Sequence, residues 1–134
     1  MKVYLIPYGV NPNKFVQFKQ KLDSISGYEG IYDKGEEELN DSKSIRNYLQ
    51  NLMSPCGIVA LLLGIDRNKS RYIEDELRIG LGKKRAIFRI EGKHPGSLKS
   101  LPGRWYFGVS INKGDKNTVK RALDWLNWPY FSIS

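Results

Sequence analysis

The sequence contains very few of the residues that build disulfides and metal centres. Its 134 residues include one cysteine, Cys56, and one histidine, His94. A single cysteine excludes an internal disulfide and most metal clusters, and His94 has no cysteine or aspartate partner at ligand spacing. We therefore expect no bound metal and a reducing, cytoplasmic environment.

Long apolar segments and glycine-rich phosphate loops are also missing. No apolar run approaches the length needed to span a membrane, and Met1–Ile6 begins a strand directly, without a signal-peptide pattern. The glycines follow neither the Gly-x-Gly-x-x-Gly nor the P-loop spacing. These absences argue against a membrane protein and against the familiar glycine-rich nucleotide sites.

Acidic residues are outnumbered by basic ones. There are 22 Lys and Arg against 14 Asp and Glu, which gives a net charge of +8. This balance favours anionic partners in general, including nucleic acid, phosphorylated metabolites and acidic protein surfaces, and it selects none of them. Nucleic acid stays open as a partner but is not the favoured one. The length and the 40% hydrophobic content indicate a single globular domain over residues 1–134.

Short apolar runs alternate with helical patterns along the chain. The run Gly57–Gly64 is apolar throughout and bounded by glycines, which predicts a central strand buried on both faces. The other predicted strands are Val3–Ile6, Tyr28–Tyr32, Ala86–Ile90 and Trp105–Ile111. The alternation predicts an α/β protein, a flavodoxin-like three-layer domain with a five-stranded parallel sheet of order 2-1-3-4-5 and helices on both faces.

A carboxylate follows the central strand at a position where open α/β sheets bind ligands. Ser70 is a good N-cap for a helix in which Ile73, Leu77 and Leu81 form the inward-facing stripe. Glu76 lies on the neighbouring stripe, at the margin of the buried face and just past the carboxyl end of the strand. Glu76 is therefore the main candidate for a functional residue. The alternative is a solvated helix carboxylate paired with Arg78 or Lys83.

Three further residues end the first two predicted strands or follow them. Tyr8 and Tyr32 stand where an aromatic ring could stack on a planar ligand, although tyrosines at strand ends more often serve packing. Asp33 could bind a ligand hydroxyl, although aspartates in loops usually stabilise turns. All three are secondary candidates for a binding site.

The segment Ser70–Leu77 resembles the Ser-x-Trp-Cys-x-x-Glu-Leu motif that opens the third helix of TIR domains. Tyr72 stands for the Trp of that motif, Ile73 for its Cys and Glu76 for its glutamate. Val3–Tyr8 is similar to the Val-Phe-Ile-Ser-Tyr pattern of the first TIR strand, with Pro7 in place of the Ser. The pair Gly82-Lys83 also resembles TIR-like proteins of prokaryotic antiphage signalling.

The resemblance implies an enzyme that cleaves the nicotinamide–ribose bond of NAD, with or without cyclisation of the product into a signalling nucleotide in antiphage immunity. It implies that Glu76 is the catalytic residue and that NAD is the substrate, contacted by Tyr8, Tyr32, Asp33, Ser70 and Tyr72. Because TIR domains assemble, it also implies self-association or a signalling partner protein. The aromatic-rich segment Trp125–Phe131 is the predicted contact.

Two other classes of function stay open. The run Glu76–Lys83 also looks like the Glu-Ile-Gly-x-Ala-x-x-x-Gly-Lys run of nucleoside deoxyribosyltransferases, in which the glutamate is the nucleophile. That family has an Asp-Gly-Thr-type turn where this chain has Asp66–Ser70. The other class is a non-catalytic TIR-like or receiver-like interaction module. Pro7-Tyr8 and Gly64 do not supply the acidic residues that a receiver domain needs.

Overall fold

The computed structural model describes residues 1–66, 68–90, 106–110 and 116–127, with only the backbone of 106–110. It contains strands and helices in alternation over most of its length. These are β1 (Lys2–Tyr8), α1 (Pro12–Asp23), β2 (Glu29–Ile31), α2 (Ser42–Met53), β3 (Cys56–Leu63), α3 (Ile73–Gly80), β4 (Lys84–Arg89), β5 (Tyr106–Ser110) and α4 (Lys116–Asn127).

The strands form one parallel sheet in the order β2-β1-β3-β4-β5. β3 lies between β1 and β4 and pairs with both over most of its length. β5 pairs with β4 through a register that shifts between Ile87 and Arg89. The predicted α/β class, the parallel sheet and the central position of the apolar strand are confirmed.

The side chains of β3 alternate between two cores, one on each face of the sheet. Ile58, Ala60 and Leu62 belong to the core that contains α1 and α4. Val59, Leu61 and Leu63 belong to the core that contains α2 and α3. All six are at most 3% exposed, as the apolar run between the two glycines predicts.

Three of the differences between predicted and observed element boundaries concern β1 and α3. β1 continues through Pro7 to Tyr8. Proline has no N–H to donate, and it is tolerated here because β2 pairs only with Lys2, Val3 and Tyr4, so that no strand beside Pro7 on that side requires a donor. α3 begins at Ile73, and its N-cap residue Tyr72 makes no side-chain capping bond. It also ends at Gly80, so Leu81 lies beyond the inward-facing stripe and is 39% exposed.

Two glycines bring the loops after β1 and β3 into direct backbone contact. Gly9 has a positive φ of 76°, and its amide N–H donates to the Asn68 carbonyl. A Cβ atom on Gly64 would lie 2.5 Å from the Cα of Val10 and closer still to the carbonyl of Gly9. Because only glycine fits this approach, the segment after β3 folds back across the end of β1. Tyr8 and Lys69 form an isolated antiparallel bridge there.

The outer edge of β2 is covered by a side chain of α1. The amide N–H of Gly30 donates to Asp23 Oδ1 at 2.7 Å, so this donor faces away from β1 and is already bonded. Asp23 also pairs with Lys19 one helical turn earlier. Among the described residues, no helix is long and apolar enough to span a membrane.

Candidate functional site

Glu76 is fully buried, which corrects the prediction that it lies at the margin of the buried face. Its exposed fraction is 0%, and it is the one charged residue among those classed as buried in the described part of the chain. The Tyr4 hydroxyl donates to Glu76 Oε2, and the Ser70 hydroxyl donates to Glu76 Oε1. Each carboxylate oxygen therefore has a hydrogen-bond donor, and these bonds offset part of the cost of burying the carboxylate.

The fold brings these three residues together from separate segments. Tyr4 points from β1 into the core that contains α2 and α3, and Glu76 is in the first turn of α3. Ser70 belongs to the three residues directly before α3, Ser70–Tyr72, which we call the strap. The strap is attached to the end of β1, because the Ser70 amide donates to the Pro7 carbonyl at 3.2 Å. Ser70 thus orients the carboxylate instead of capping the helix.

The environment of Glu76 makes its carboxyl group unusually hard to ionise. Burial raises the pKa of Glu76 to about 7, although the hydrogen bonds from Ser70 and Tyr4 act in the opposite direction. The negative charge of Asp33 raises the pKa of Glu76 further, and the positive charge of Arg71 lowers it. Burial, together with the Glu76 charge, likewise raises the pKa of the Tyr4 phenol, which therefore stays protonated as a donor.

Asp33 is occupied by groups of the protein itself. Arg71 Nε donates to Asp33 Oδ2 at 2.8 Å and Arg71 Nη2 donates to Oδ1 at 3.0 Å, a two-point ion pair. The Tyr48 hydroxyl donates to Oδ1 at 2.8 Å, and the Gly35 amide donates to it at 3.1 Å. Burial alone would raise the pKa of Asp33, but the hydrogen bonds from Arg71 and Tyr48 outweigh it and hold the pKa below its ordinary value.

Tyr72 completes the strap. Its hydroxyl lies 3.3 Å from both the amide nitrogen and the carbonyl oxygen of Leu39, in the acidic loop before α2. The Arg71 guanidinium lies over the Tyr72 ring, 4.4 Å from its centroid. Ser70 and Tyr72 are therefore close to Glu76 in the structure, as the motif predicts, and each has a partner within the protein.

The two other tyrosine candidates lie on opposite faces of the sheet. Tyr8 is partly buried at the end of β1, with Lys69 Nζ 4.5 Å above its ring. Tyr32 packs edge-on against Phe15 of α1, with ring centroids 5.0 Å apart, in the core on the opposite face of the sheet. The structure therefore groups Glu76 with Ser70, Tyr72 and Asp33, and it does not bring Tyr32 to that group.

A cleft of about 320 Å³ opens at the edge of the sheet beside β2. Glu76 does not line it. Tyr48 does, and the same tyrosine donates to Asp33, so the cleft adjoins the Asp33–Arg71 pair. Other lining residues are Lys19, Gly30, Tyr32, Lys34 and Leu52.

Sequence reasoning missed Tyr4, Tyr48 and Arg71. Tyr4 is the second residue of an apolar run and was indistinguishable from a core aromatic, because nothing local marks the partner of its hydroxyl. Tyr48 lies at helical spacing among the apolar residues of α2, so its side chain looks like a packing residue and nothing local marks the partner of its hydroxyl. Arg71 had one available signal, its position between Ser70 and Tyr72, but its partner Asp33 is 38 residues away in the sequence.

The arrangement is a single buried carboxylate that can gain or lose a proton near neutral pH. It can stabilise a positive charge or attack an electrophilic carbon once a substrate reaches it. In the described part of the chain, no group of three or more His, Cys, Asp or Glu side chains could hold a metal ion. No protein-family model matches the chain, and the comparison with curated proteins finds no match either.

Proposed function

We propose that this protein is a TIR-like enzyme of the flavodoxin-like fold that cleaves the nicotinamide–ribose bond of NAD in the cytoplasm. The observation that carries the proposal is the buried carboxylate of Glu76, held by Tyr4 and Ser70 beside the carboxyl end of the sheet. The parallel sheet with its central β3 and the placement of the Ser70–Glu76 motif are consistent with that family.

The chemistry requires only one carboxylate. Nicotinamide leaves as a neutral molecule when the C1′–N bond breaks and takes the bonding electrons with it, so no acid has to protonate it. The ribose becomes an oxocarbenium ion, which the ionised Glu76 stabilises electrostatically. Water, or a nitrogen of the adenine ring, then attacks C1′ and gives the linear or the cyclic product.

The approach of the substrate also provides the charge state that the reaction needs. Near neutral pH a carboxyl group with a pKa of about 7 is divided between its two forms. The positively charged nicotinamide ring favours the ionised form when it comes close. Because Glu76 is 0% exposed, the proposal also requires a rearrangement that opens a path to its carboxylate when NAD enters.

The test is release of nicotinamide from NAD by the purified protein, with and without an extract of phage-infected cells as a source of activator. Glu76→Gln keeps the shape and removes the charge, and we expect it to lower kcat/KM roughly 30- to 1,000-fold, which corresponds to ~2–4 kcal/mol of transition-state stabilisation. Glu74→Gln is the matched control, because Glu74 is exposed on the same helix and should leave turnover intact. Equal losses in both variants, or no nicotinamide release by the wild type under either condition, would contradict the proposal.

A second candidate is transfer of deoxyribose between nucleobases, with Glu76 as the nucleophile. The Tyr4 hydroxyl favours it, because a phenol that donates to one carboxylate oxygen leaves the carboxylate oriented for attack. The same assay with deoxynucleosides distinguishes the two. Free base together with a deoxyribosyl adduct on Glu76, detected by mass spectrometry, would support transfer. An inactive protein in both assays would favour the interaction module.

A further inference from the structure

We propose that Asp33 and Arg71 are a positioning pair for Glu76: their ion pair holds the strap in place and so delivers the Ser70 hydroxyl to the buried carboxylate. Only the activity assay of this proposal rests on the proposed function. The geometry of the pair and the titration of Glu76 can be tested without any substrate.

The pair has the geometry of a rigid contact. Arg71 presents two N–H groups to the two oxygens of Asp33, at 2.8 Å and 3.0 Å. The Asp33 side chain is only 5% exposed, and the Arg71 side chain is 31% exposed. Tyr48, from α2, fixes Asp33 from the other side. A shielded, two-point pair with a third anchor differs from an ordinary surface ion pair, which contributes little.

The pair acts next to the residue that it positions. Arg71 is joined to Ser70 by one peptide bond, so holding the guanidinium restricts where the Ser70 hydroxyl can point. Apart from the Ser70 hydroxyl bond to Glu76, the strap is tied to other segments by neutral hydrogen bonds, from the Ser70 amide to Pro7 and between the Tyr72 hydroxyl and Leu39. Arg71 adds an ion pair to these contacts, and charge-assisted hydrogen bonds are the stronger kind.

The charged and titratable groups around Glu76 come from four segments of the chain. Tyr4 faces it from β1, Arg71 from the strap and Asp33 from the segment after β2, while Tyr48 of α2 lies behind Asp33. The charges of Asp33 and Arg71 act on Glu76 with opposite signs. Because the two effects oppose each other and that of Asp33 is the larger, removing both charges together leaves a smaller electrostatic change than removing Asp33 alone.

The experiment measures the pKa of Glu76 by carbon-13 NMR of the whole, ligand-free chain labelled at glutamate carboxyl groups. In the double variant Asp33→Asn with Arg71→Gln, we expect the pKa of Glu76 to rise by about 1 pH unit, the cost of losing one hydrogen bond to a charged acceptor. In a Ser70→Ala background the same double change should have no further effect, because no hydroxyl is left to position. Arg78→Gln, an exposed arginine of α3, is the control and should leave the titration unchanged.

Two results would overturn the proposal: an unchanged Glu76 titration in the double variant, or the same rise when Ser70 is already absent. If the double variant does not fold, Arg71→Lys takes its place, because lysine keeps the charge and loses the two-point geometry. It should then raise the pKa of Glu76 by a smaller amount, and no rise would count against the pair. If NAD turnover is found, these variants should also shift the acidic limb of the kcat/KM pH profile upward. If no turnover is found, the proposed function fails while the titration still decides this inference.

Discussion

Glu76 shows how a fold can change the chemistry of one side chain without another charge in direct contact. The carboxyl group has exchanged water for two hydroxyl donors, Tyr4 and Ser70. Two neutral donors compensate a buried negative charge only in part, so the ionised form stays unfavourable. The same residue is thus a cost to the folded state and a group that can exchange a proton near neutral pH, a combination that is common at functional sites.

This cost should appear as a pH dependence of stability. Because the pKa of Glu76 is raised to about 7 from an ordinary value of 4.5, its contribution is most favourable below pH 4.5 and is lost as the pH rises through 7. We expect the free energy of unfolding to fall by about 3 kcal/mol across this window. Asp33 does not interfere, because its lowered pKa places its own effect at more acidic pH.

Urea denaturation of the wild type and of Glu76→Gln between pH 4 and pH 8 measures this difference. The variant has no carboxyl group at position 76, so the fall in unfolding free energy that Glu76 causes across this window should be absent from its profile. Glu76→Gln should therefore be the more stable protein at pH 8. A carboxylate at the margin of the buried face, where the sequence places Glu76, would have left the stability almost unchanged on substitution, because exposed charges contribute little. Parallel profiles for the two proteins would show that Glu76 titrates normally.

At the scale of single elements, the buried strands were easier to predict than the residues of the site. The apolar run of β3 has only one way to avoid water, so its position and both of its faces follow from the sequence. Phe15, Phe18 and Leu22 of α1 recur at helical spacing in the sequence and are buried for the same reason. α3 has only eight residues, and its stripe fails at Leu81 because the helix ends one residue earlier.

The site depends on contacts between distant segments, which local patterns do not encode. Glu76 was predicted from its position after the central strand and from the motif, but its burial depends on a hydroxyl donor, Tyr4, that is 72 residues away. Ser70 fits the pattern of an N-cap, and only the position of the strap shows that its hydroxyl turns toward Glu76. The sequence therefore predicted which carboxylate to consider, whereas the hydrogen-bond partners of this carboxylate were not predictable.

Because β3 is the central strand, a charged side chain in the middle of this strand should strongly destabilise the protein. Leu62 is 0% exposed and pairs with β1 on one side and β4 on the other. Leu62→Asp should cost several kcal/mol of unfolding free energy, because it leaves an unpaired charge in a core. Ile65→Asp is the control at a site that is 72% exposed, with an expected change within about 0.5 kcal/mol. Equal melting temperatures for the Leu62 variant and the wild type would contradict the assigned topology.

The glycine contact between the loops after β1 and β3 gives a second prediction at this scale. Gly64→Ala would push a methyl group into the backbone of Gly9 and Val10, so the loops must separate, and we expect a loss of more than about 2 kcal/mol. Gly57→Ala is the matched control, since its methyl group would meet only the Met1 side chain, at 3.4 Å or more. Thermal melts compare the two. A mild effect at Gly64 would mean that the two loops are not held together by this contact.

For the whole molecule, self-association remains a prediction. Most of the aromatic segment that suggested it, Trp125–Phe131, lies outside the described residues, but Trp125 of α4 is 63% exposed. Tryptophan is enriched among the residues that dominate protein interfaces. Sedimentation should show a mass above the monomer that falls on Trp125→Glu or on truncation after Asn127, with Val16→Glu on α1, 47% exposed, as the control. If the wild type and all variants sediment as monomers, the prediction of self-association is wrong.

The Asp23 carboxylate on the Gly30 amide limits the shapes that any such assembly can take. An edge strand with open donors is a template onto which further strands, from another copy or from an unfolded chain, can be added. Here a side chain of α1 occupies a donor of that template at the β2 end of the sheet. Copies of this protein should therefore not extend one another's sheet through this edge, and filaments that grow by continuous strand pairing are disfavoured there. Assembly on this side would have to proceed helix against helix, so that each domain keeps its own sheet and can separate again intact.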